Sequence, residues 1–549
     1  MESRQLLLSM KPFFRSRLTR WVLLPVLILS ILLVVAGVVL SHVLKAKVIA
    51  ALEEKNGSLE DLDLNLFQRA VTVQGATWTA ADSIRIPNHI AVKRIRVSGI
   101  HVLAWLIHKN ITVDRIELVD GEATYSVVKK VKKDSVNRSD SALAHSDTAN
   151  AALPFKKIGV REVVLKNIKA TIHIDSIQTL SGVVNVSIKE VQLDSTLAQK
   201  ILSALKVKSF QAEFTSVQLS SKLYTTKISS IQINSAAGKL QLDSISLTPN
   251  YGRYAFARKV GKQTDRFTLR IPKIALEGLT FNPLNDSTVI SSIHIASARL
   301  HVFRDKRFPF IKHQNVPLPV AMIRKFPFAL QVDSVKITDA KIVYEEFPEK
   351  GFHTGQVEFD DLNATLTHLN NRDSSAKGQA TLVASAKLMG KGLITSTFTL
   401  PYGKQQSYRA EGHIRNLPLP ALNRAVENMA FVNIESGKLN DLSFNFHYDD
   451  VQSRGSILVD YENLKINGFT KEKHSHASEF KTWLINLFIK NDKDKTMSKA
   501  KRSGIIEFDR DRHKAIFNLW WKSLLSGLKS SVLDGSAKKE KKRTGKDKG

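Results

Sequence analysis

VKRIRVSGIHV (92–102), VDRIELVDGEATY (113–125) and VREVVLKNIKATI (160–172) are three copies of one pattern. IPKIALEGLTF (271–281), ISSIHIASARLHV (290–302) and VDSVKITDAKIVY (332–344) are three more, and FDDLNATLT (359–367) is a partial copy. Each copy reads apolar, two polar, apolar, x, apolar, x, then Asp, Asn, Gly or Ser, and closes on further apolar or small positions. Alternation of apolar and polar residues is the mark of a half-buried strand, and the Val, Ile and Thr content agrees. The first apolar step is three residues, which breaks strand parity. Each copy must therefore contain a kink or bulge that keeps its apolar residues on one side. The Asp/Asn/Gly/Ser position predicts a second local break. Start-to-start separations of 21, 47, 111, 19 and 42 residues exclude a fixed-period solenoid.

Working outward, the same alternation recurs in LDLNL (62–66) and VTV (71–73), which flank a turn near Gln68. It returns at 111–113, 184–188, 240–242 and 245–247. The expected fold is mainly β, one long antiparallel sheet of variable hairpins. Prolines at 309, 317, 319 and 327 argue against central strands over 306–329. Residues 129–153, rich in Ser, Asp, Ala and Lys without periodicity, read as a loop or linker.

Helical periodicity is scarce. Leu197, Ile201, Leu202 and Leu205 predict a short crossing helix, and Leu419, Leu422, Val426 and Met429 another. Phe480, Trp483, Leu484, Leu487 and Phe488 predict a third. Phe517, Trp520, Trp521, Leu524, Leu525, Leu528 and Val532 form a stripe over four turns. This last helix has two readings: Trp520, Trp521, Leu524, Leu525 and Leu528 lie in a membrane interface, or the helix plugs the end of the sheet as core. The chain closes on AKKEKKRTGKDKG, read as a disordered basic tail over 537–549.

Near the front, residues 21–44 hold 24 positions without a charge, between Arg20 and Lys45. As a helix they span about 36 Å, against about 30 Å of bilayer hydrocarbon. Five basic residues precede the stretch, Trp21 sits at its edge, and three basic residues diluted by Glu53 and Glu54 follow. The expectation is a single membrane anchor with a cytoplasmic N-terminus. A cleaved signal peptide is the competing reading, disfavoured by the length of the apolar run.

The 549 residues carry 81 Lys and Arg against 51 Asp and Glu, a formal charge of +30, and no cysteine. No cysteine excludes a disulfide scaffold, thiolate metal sites and a cysteine nucleophile. No phosphate-binding glycine motif or metalloprotease motif occurs. Ser498 and Lys501 fit S-x-x-K without its partner motifs. His474 and His476 have no nearby carboxylates, and Asp360-Asp361 and Asp449-Asp450 are adjacent residues that point to opposite faces of a strand. The expectation is no enzyme, no catalytic residue, no metal and no cofactor. The basic charge fits anionic lipid surfaces, and no nucleic-acid module is visible.

A basic N-tail, one apolar span and then LEDLDLNLFQRAVTVQGATW (59–78) resemble the AsmA-like family of Gram-negative envelopes. The strand repeats resemble that family's repeats. LPLPALNRAVENMAFVNIESGKLNDLSFNFHYDD (417–450), with Gly437, Leu439, Leu442, Phe444 and Phe446, resembles its C-terminal region. The resemblance runs over about residues 45–470, and 471–549 depart from it. It implies a long, twisted, half-open β-groove with an apolar inner face. It also implies a role in moving lipid between membranes or maintaining the outer membrane.

The expected layout is a cytoplasmic tail (1–20), an anchor (21–44), a first β segment (45–128), a linker (129–153), a main groove (154–470), a helical region (471–536) and the basic tail. Strand alternation places Val71, Val73, Ile95, Val97, Ile116, Leu118, Val335, Ile337 and Ile342 on the groove face. Expected partners are phospholipid or another acyl lipid and the inner membrane, with the outer membrane or envelope proteins as further contacts. The expected place is the inner membrane, with the bulk of the chain in the periplasm. A second reading is a scaffold that guides envelope proteins by strand addition at a sheet edge.

Overall fold

The computed structural model describes residues 53–544 except 55, 66–67, 80–87, 102–107, 127–156, 176, 195–204, 283–286, 313–314, 350–352, 374, 376–377, 404–406, 431–432 and 468–498. The expected anchor with Trp21, the loop 129–153, most of the helix at 197–205, the helix at 480–488 and the His474/His476 pair lie outside the described residues. Among the described residues, no helix is long and apolar enough to cross a membrane.

The described chain is mainly β. It divides into two compact units between Leu242 and Asp243, inside the 154–470 segment expected as one groove.

In the first unit, β1 (Gly57–Ser58) and β2 (Asp61–Asn65) both pair antiparallel with β3 (Ala70–Thr79). The turn between β2 and β3 is held by the Gln68 N–H on Asn65 Oδ1 at 2.9 Å. β4 (His89–Ile100), β5 (Asn110–Ser126), β6 (Lys157–His173) and β7 (Thr179–Asp194) follow in order across the sheet. β8 (Leu205–Lys206) and β9 (Ser209–Ser220) pair with β7, and β10 (Tyr224–Asn234) with β9. Leu205, expected at a helix end, is thus in a strand. β11 (Lys239–Pro249) crosses the division and joins the two short runs at 240–242 and 245–247 into one strand.

In the second unit, α1 (Arg253–Val260) precedes β12 (Asp265–Glu277) and β13 (Thr280–Asn282). These pair antiparallel with β14 (Ser287–Ala296) and β15 (Arg299–Asp305), which lie end to end. A crossover, residues 306–328 with α2 (Pro319–Ile323), leads to β16 (Ala329–Phe347). β17 (Gly355–Asn370), β18 (Gln379–Leu388), β19 (Gly392–Pro401), β20 (Tyr408–Pro418), β21 (Asn433–Tyr448), β22 (Gln452–Asn467) and β23 (Lys499–Asp509) then add one by one, all antiparallel. A 3-10 turn (Leu419–Leu422) and α3 (Asn423–Ala430) stand between β20 and β21, where periodicity after Pro418 predicts a helix. α4 (Ile516–Thr544) ends the described chain. It runs into the stretch expected to be disordered, because Ala, Lys and Glu continue a helix readily.

Antiparallel pairing throughout is corrected at two joints. β5 and β6 are parallel, and so are β14 and β15 with β16. Each joint has a long connection, 127–156 or 306–328, which returns the chain to the end it came from, as parallel pairing requires. The joints also order the repeat. Copies starting at 113 and 160 pair residue for residue at an offset of 47, and those at 290 and 332 at an offset of 42. Those starting at 92 and 113, and at 271 and 290, pair antiparallel. The separations 21 and 47 are therefore matched by 19 and 42: each unit carries one three-copy block of the same topology.

The register explains the three-residue steps. Between β4 and β5 the ladder passes from Arg94↔Val119 to Val92↔Gly121, and Lys93 and Asp120 drop out together. The second position of one copy thus faces the eighth of its antiparallel neighbour, and both leave the ladder without shifting it. The eighth position has positive φ in all six full copies: Gly99, Asp120, Asn167, Gly278, Ser297 and Asp339, between 50° and 70°. Gly, Asn and Asp tolerate that left-handed conformation best. In the partial copy the left-handed residue is the third, Asp361 at 50°.

Candidate functional site

The strand pairing lines up apolar residues of the repeats and their neighbours in straight rows across each sheet. In the first unit one row runs Leu62, Val73, Ile95, Leu118, Leu165, Val186, Ala212 and Ile233 over eight strands. In the second unit a row of ten runs Leu276, Ile293, Val335, Leu366, Leu382, Phe398, Ala410, Phe446, Gly455 and Ile506.

Coverage of these rows differs. Val71, Val73, Ile95, Val97, Ile116 and Leu118 are all within 3 % of complete burial and pack in one cluster with Val113, Val160 and Val163. These six are buried, so in this state they are core and not an open surface. The row opens only at Val186 and Ile233, which are half-buried. In the second unit Val335, Ile337 and Ile342 are half-buried, as are Leu276, Ile293, Leu366 and Leu382. The open apolar face of that unit therefore extends from β12 to β18.

From β19 onward α4 closes the face. Trp520 stacks on Phe398, and Leu519 and Leu528 are buried in the cluster that holds Phe446, Ile457 and Ile506, with Leu524 packed against it. Leu525 is buried as well. The interface assignment is corrected for Trp520, Leu524 and Leu528, which pack into the core of the sheet, and for Leu525, which is buried. Trp521 points outward, 51 % exposed. Burial pushes the Tyr448 phenol up, so it stays protonated beneath the helix.

α4 also reaches the sheet edge. Ser530 Oγ accepts from the Ile505 N–H at 3.0 Å and Ser526 Oγ from the Glu507 N–H at 3.2 Å. These are N–H groups that β23 turns away from β22. Ser523 Oγ meets Ser453 Oγ at 2.6 Å in the buried contact. Sequence reasoning singled out the Trp-Leu stripe and missed these serines, whose spacing of 523, 526 and 530 puts them on one helix face.

The open face ends in charge. Arg304 forks onto Asp265 at 2.6 and 2.7 Å, and Glu346 accepts from the Tyr344 hydroxyl at 2.8 Å and from Lys306 at 2.7 Å. On the opposite face Glu345 is held by Arg253 and His301. The carboxylate pairs noted in the sequence are all engaged: Asp360 with Lys341, Asp361 with Lys387, Asp450 with Arg510 and Arg512, while Asp449 caps its own turn. Lys501 is exposed in β23, and Ser498 lies outside the described residues.

No protein family matches this chain, and no curated protein is significantly similar to it.

Proposed function

We propose that this chain binds acyl lipids along its apolar rows and passes them between membranes, in support of the outer membrane. The reading includes an anchor at 21–44 in the inner membrane, a periplasmic body, and membership of the AsmA-like family on the residues quoted above. It assigns no catalytic step, cofactor or nucleic acid.

The ten-strand row of the second unit carries the reading. It is apolar at every strand, and half-exposed from Leu276 to Leu382. At about 4.8 Å per strand, ten strands make roughly 43 Å of lining. Its uncovered part, the five strands β12, β14, β16, β17 and β18, is roughly 19 Å of that lining, and an apolar face left uncovered calls for an apolar occupant. Charge at one margin and α4 at one end give it limits.

The scaffold reading needs a bare edge. At β23 the outward N–H groups of Ile505 and Glu507 are already taken by Ser530 and Ser526, which favours lipid over strand addition there.

A photo-reactive amino acid at Val335, and in a second variant at Lys336, tests it in the full chain in its own membrane. Acyl-lipid adducts at Val335 and none at Lys336 are expected. Equal capture, or no lipid at Val335, overturns the reading.

A further inference from the structure

The crossover 306–328 reads KRFPFIKHQNVPLPVAMIRKFPF: 23 residues with five Lys or Arg, four Phe and no Asp or Glu. Its described part is tied down in three places. Gln263 donates its N–H to the Pro309 carbonyl at 3.0 Å and its side-chain amide to the carbonyls of Lys306 and Phe308. The Val316 N–H donates to the Arg512 carbonyl at 2.7 Å, and Arg510 to the Val316 carbonyl. Leu318 and Val320 are buried in the core of the second unit, and Arg324 donates to the carbonyls of Asp373 and Tyr402.

These ties join the two ends of the strand series from β12 to β23. Gln263 directly precedes β12, and Arg512 directly follows β23. Seven residues from Pro309 to Val316 span at most about 24 Å. A flat sheet would hold β12 and β23 roughly 43 Å apart. The strands from β12 to β23 are therefore twisted and curled until the first and last approach, and the crossover is a strap between them.

The strap's outer surface is apolar and cationic together. Phe310 is 39 % exposed, Ile311 49 % and Met322 47 %. Lys312 follows Ile311 and Lys325 stands three residues after Met322; both are exposed and make no ion pair among the described residues. The Lys514 ammonium lies 5.5 Å from the Phe310 ring. Of the acids near the Val316 tie, Asp450 is paired with Arg510 and Arg512, and Asp511 with Lys514. Lys306 and Arg307 are engaged by Glu346 and Asp305, which pin the strap's first residues and leave Lys312 and Lys325 as its outward charge.

We propose that the strap is the surface by which this chain docks on an anionic lipid leaflet. Phe310, Ile311 and Met322 enter the headgroup boundary, and Lys312 and Lys325 meet lipid phosphates. Apolar insertion and charge attraction reinforce each other in this kind of contact. The docking names the partner that loads the open face, and so rests on the lipid-binding reading of that face.

The chain has no cysteine, so a single Cys with an environment-sensitive fluorophore can be placed at Ile311, or at Val383 on the far face of β18 as control. The full chain is mixed with vesicles of phosphatidylcholine, with or without phosphatidylglycerol, whose acyl chains carry a nitroxide quencher. Quenching at Ile311 several-fold above that at Val383 is expected, only with phosphatidylglycerol, weakening with salt and lost in K312E/K325E. Equal quenching at the two positions, or quenching indifferent to lipid charge and to K312E/K325E, overturns the proposal. The photo-probe at Val335 separates the two ideas. Quenching at Ile311 without lipid capture at Val335 keeps the docking surface and removes the conduit, and capture without quenching does the reverse.

Discussion

Trp520 of α4 lies over Phe398 of β19 with ring centroids 4.3 Å apart and planes inclined by 26°. Phe517 and Tyr448 meet the same indole edge-on. The indole marks where the open row of the second unit becomes closed. W520A removes this stack and leaves Phe398 and Tyr448 uncovered. A loss of about 3 kcal/mol is expected, from the usual range for large aromatic truncations. Urea unfolding followed by fluorescence measures it, and W521A, which points outward, is expected to change stability by less than about 0.5 kcal/mol.

The helix reaches the sheet only because two glycines meet. A Cβ on Gly504 would stand 2.0 Å from the Gly527 carbonyl oxygen, and one on Gly527 would stand 2.7 Å from both Ile457 and Ile506. G504V is therefore expected to lift α4 from β23 and free the N–H groups that Ser526 and Ser530 hold. Limited trypsin digestion is expected to cut at Lys522 and Lys529 in G504V and not in the parent protein. Unchanged digestion would show that the contact is not needed for docking.

The left-handed positions carry a second expectation. Asn167 has φ 53°, donates from Nδ2 to Asp120 Oδ1 at 2.7 Å, and accepts no β-branched replacement without strain. N167V is expected to cost about 1–2 kcal/mol through its backbone conformation. N167G keeps the conformation and loses only the side-chain bond, so it should cost clearly less. Equal losses in thermal unfolding would place the effect in the side chain instead.

Acid should loosen the strap at its first residues. Burial alone would raise the Asp305 carboxyl, but the Arg307 guanidinium and backbone N–H bond to it and hold it below the usual carboxylate value of 3.8. A depressed folded-state pKa means the contribution is present above that value and lost as pH falls through the lower one. Protection from hydrogen exchange over 306–312, relative to the intrinsic rate at each pH, is expected to be high at pH 6 and to fall below about pH 4. D305N should make that step disappear while exchange elsewhere is unchanged.

Part of the site was legible in the pattern and part was not. The six copies, their parity break and the small or Asp/Asn position were visible, since each reflects a local need for pairing period or φ. Prolines argued against central strands over 306–329, and the strand after them, β16, begins at Ala329. The strap's role was hidden: nothing local says that Gln263 and Arg512, far apart in the chain, hold it at Pro309 and at Val316. The serines of α4 were hidden for the same reason, because their acceptors serve a strand edge set by the sheet.

Sequence by itself determined which residues alternate, which must turn left-handed, and which stretches can form strands or helix, for these depend on neighbours a few positions away. Tertiary structure alone decided which copies pair in parallel, and which part of the apolar face is covered. Ile95 and Val97 share their pattern with Val335 and Ile337, yet the first pair is buried and the second half-open. Burial is a property of whatever packs across a face, and that is supplied by chain distant in sequence.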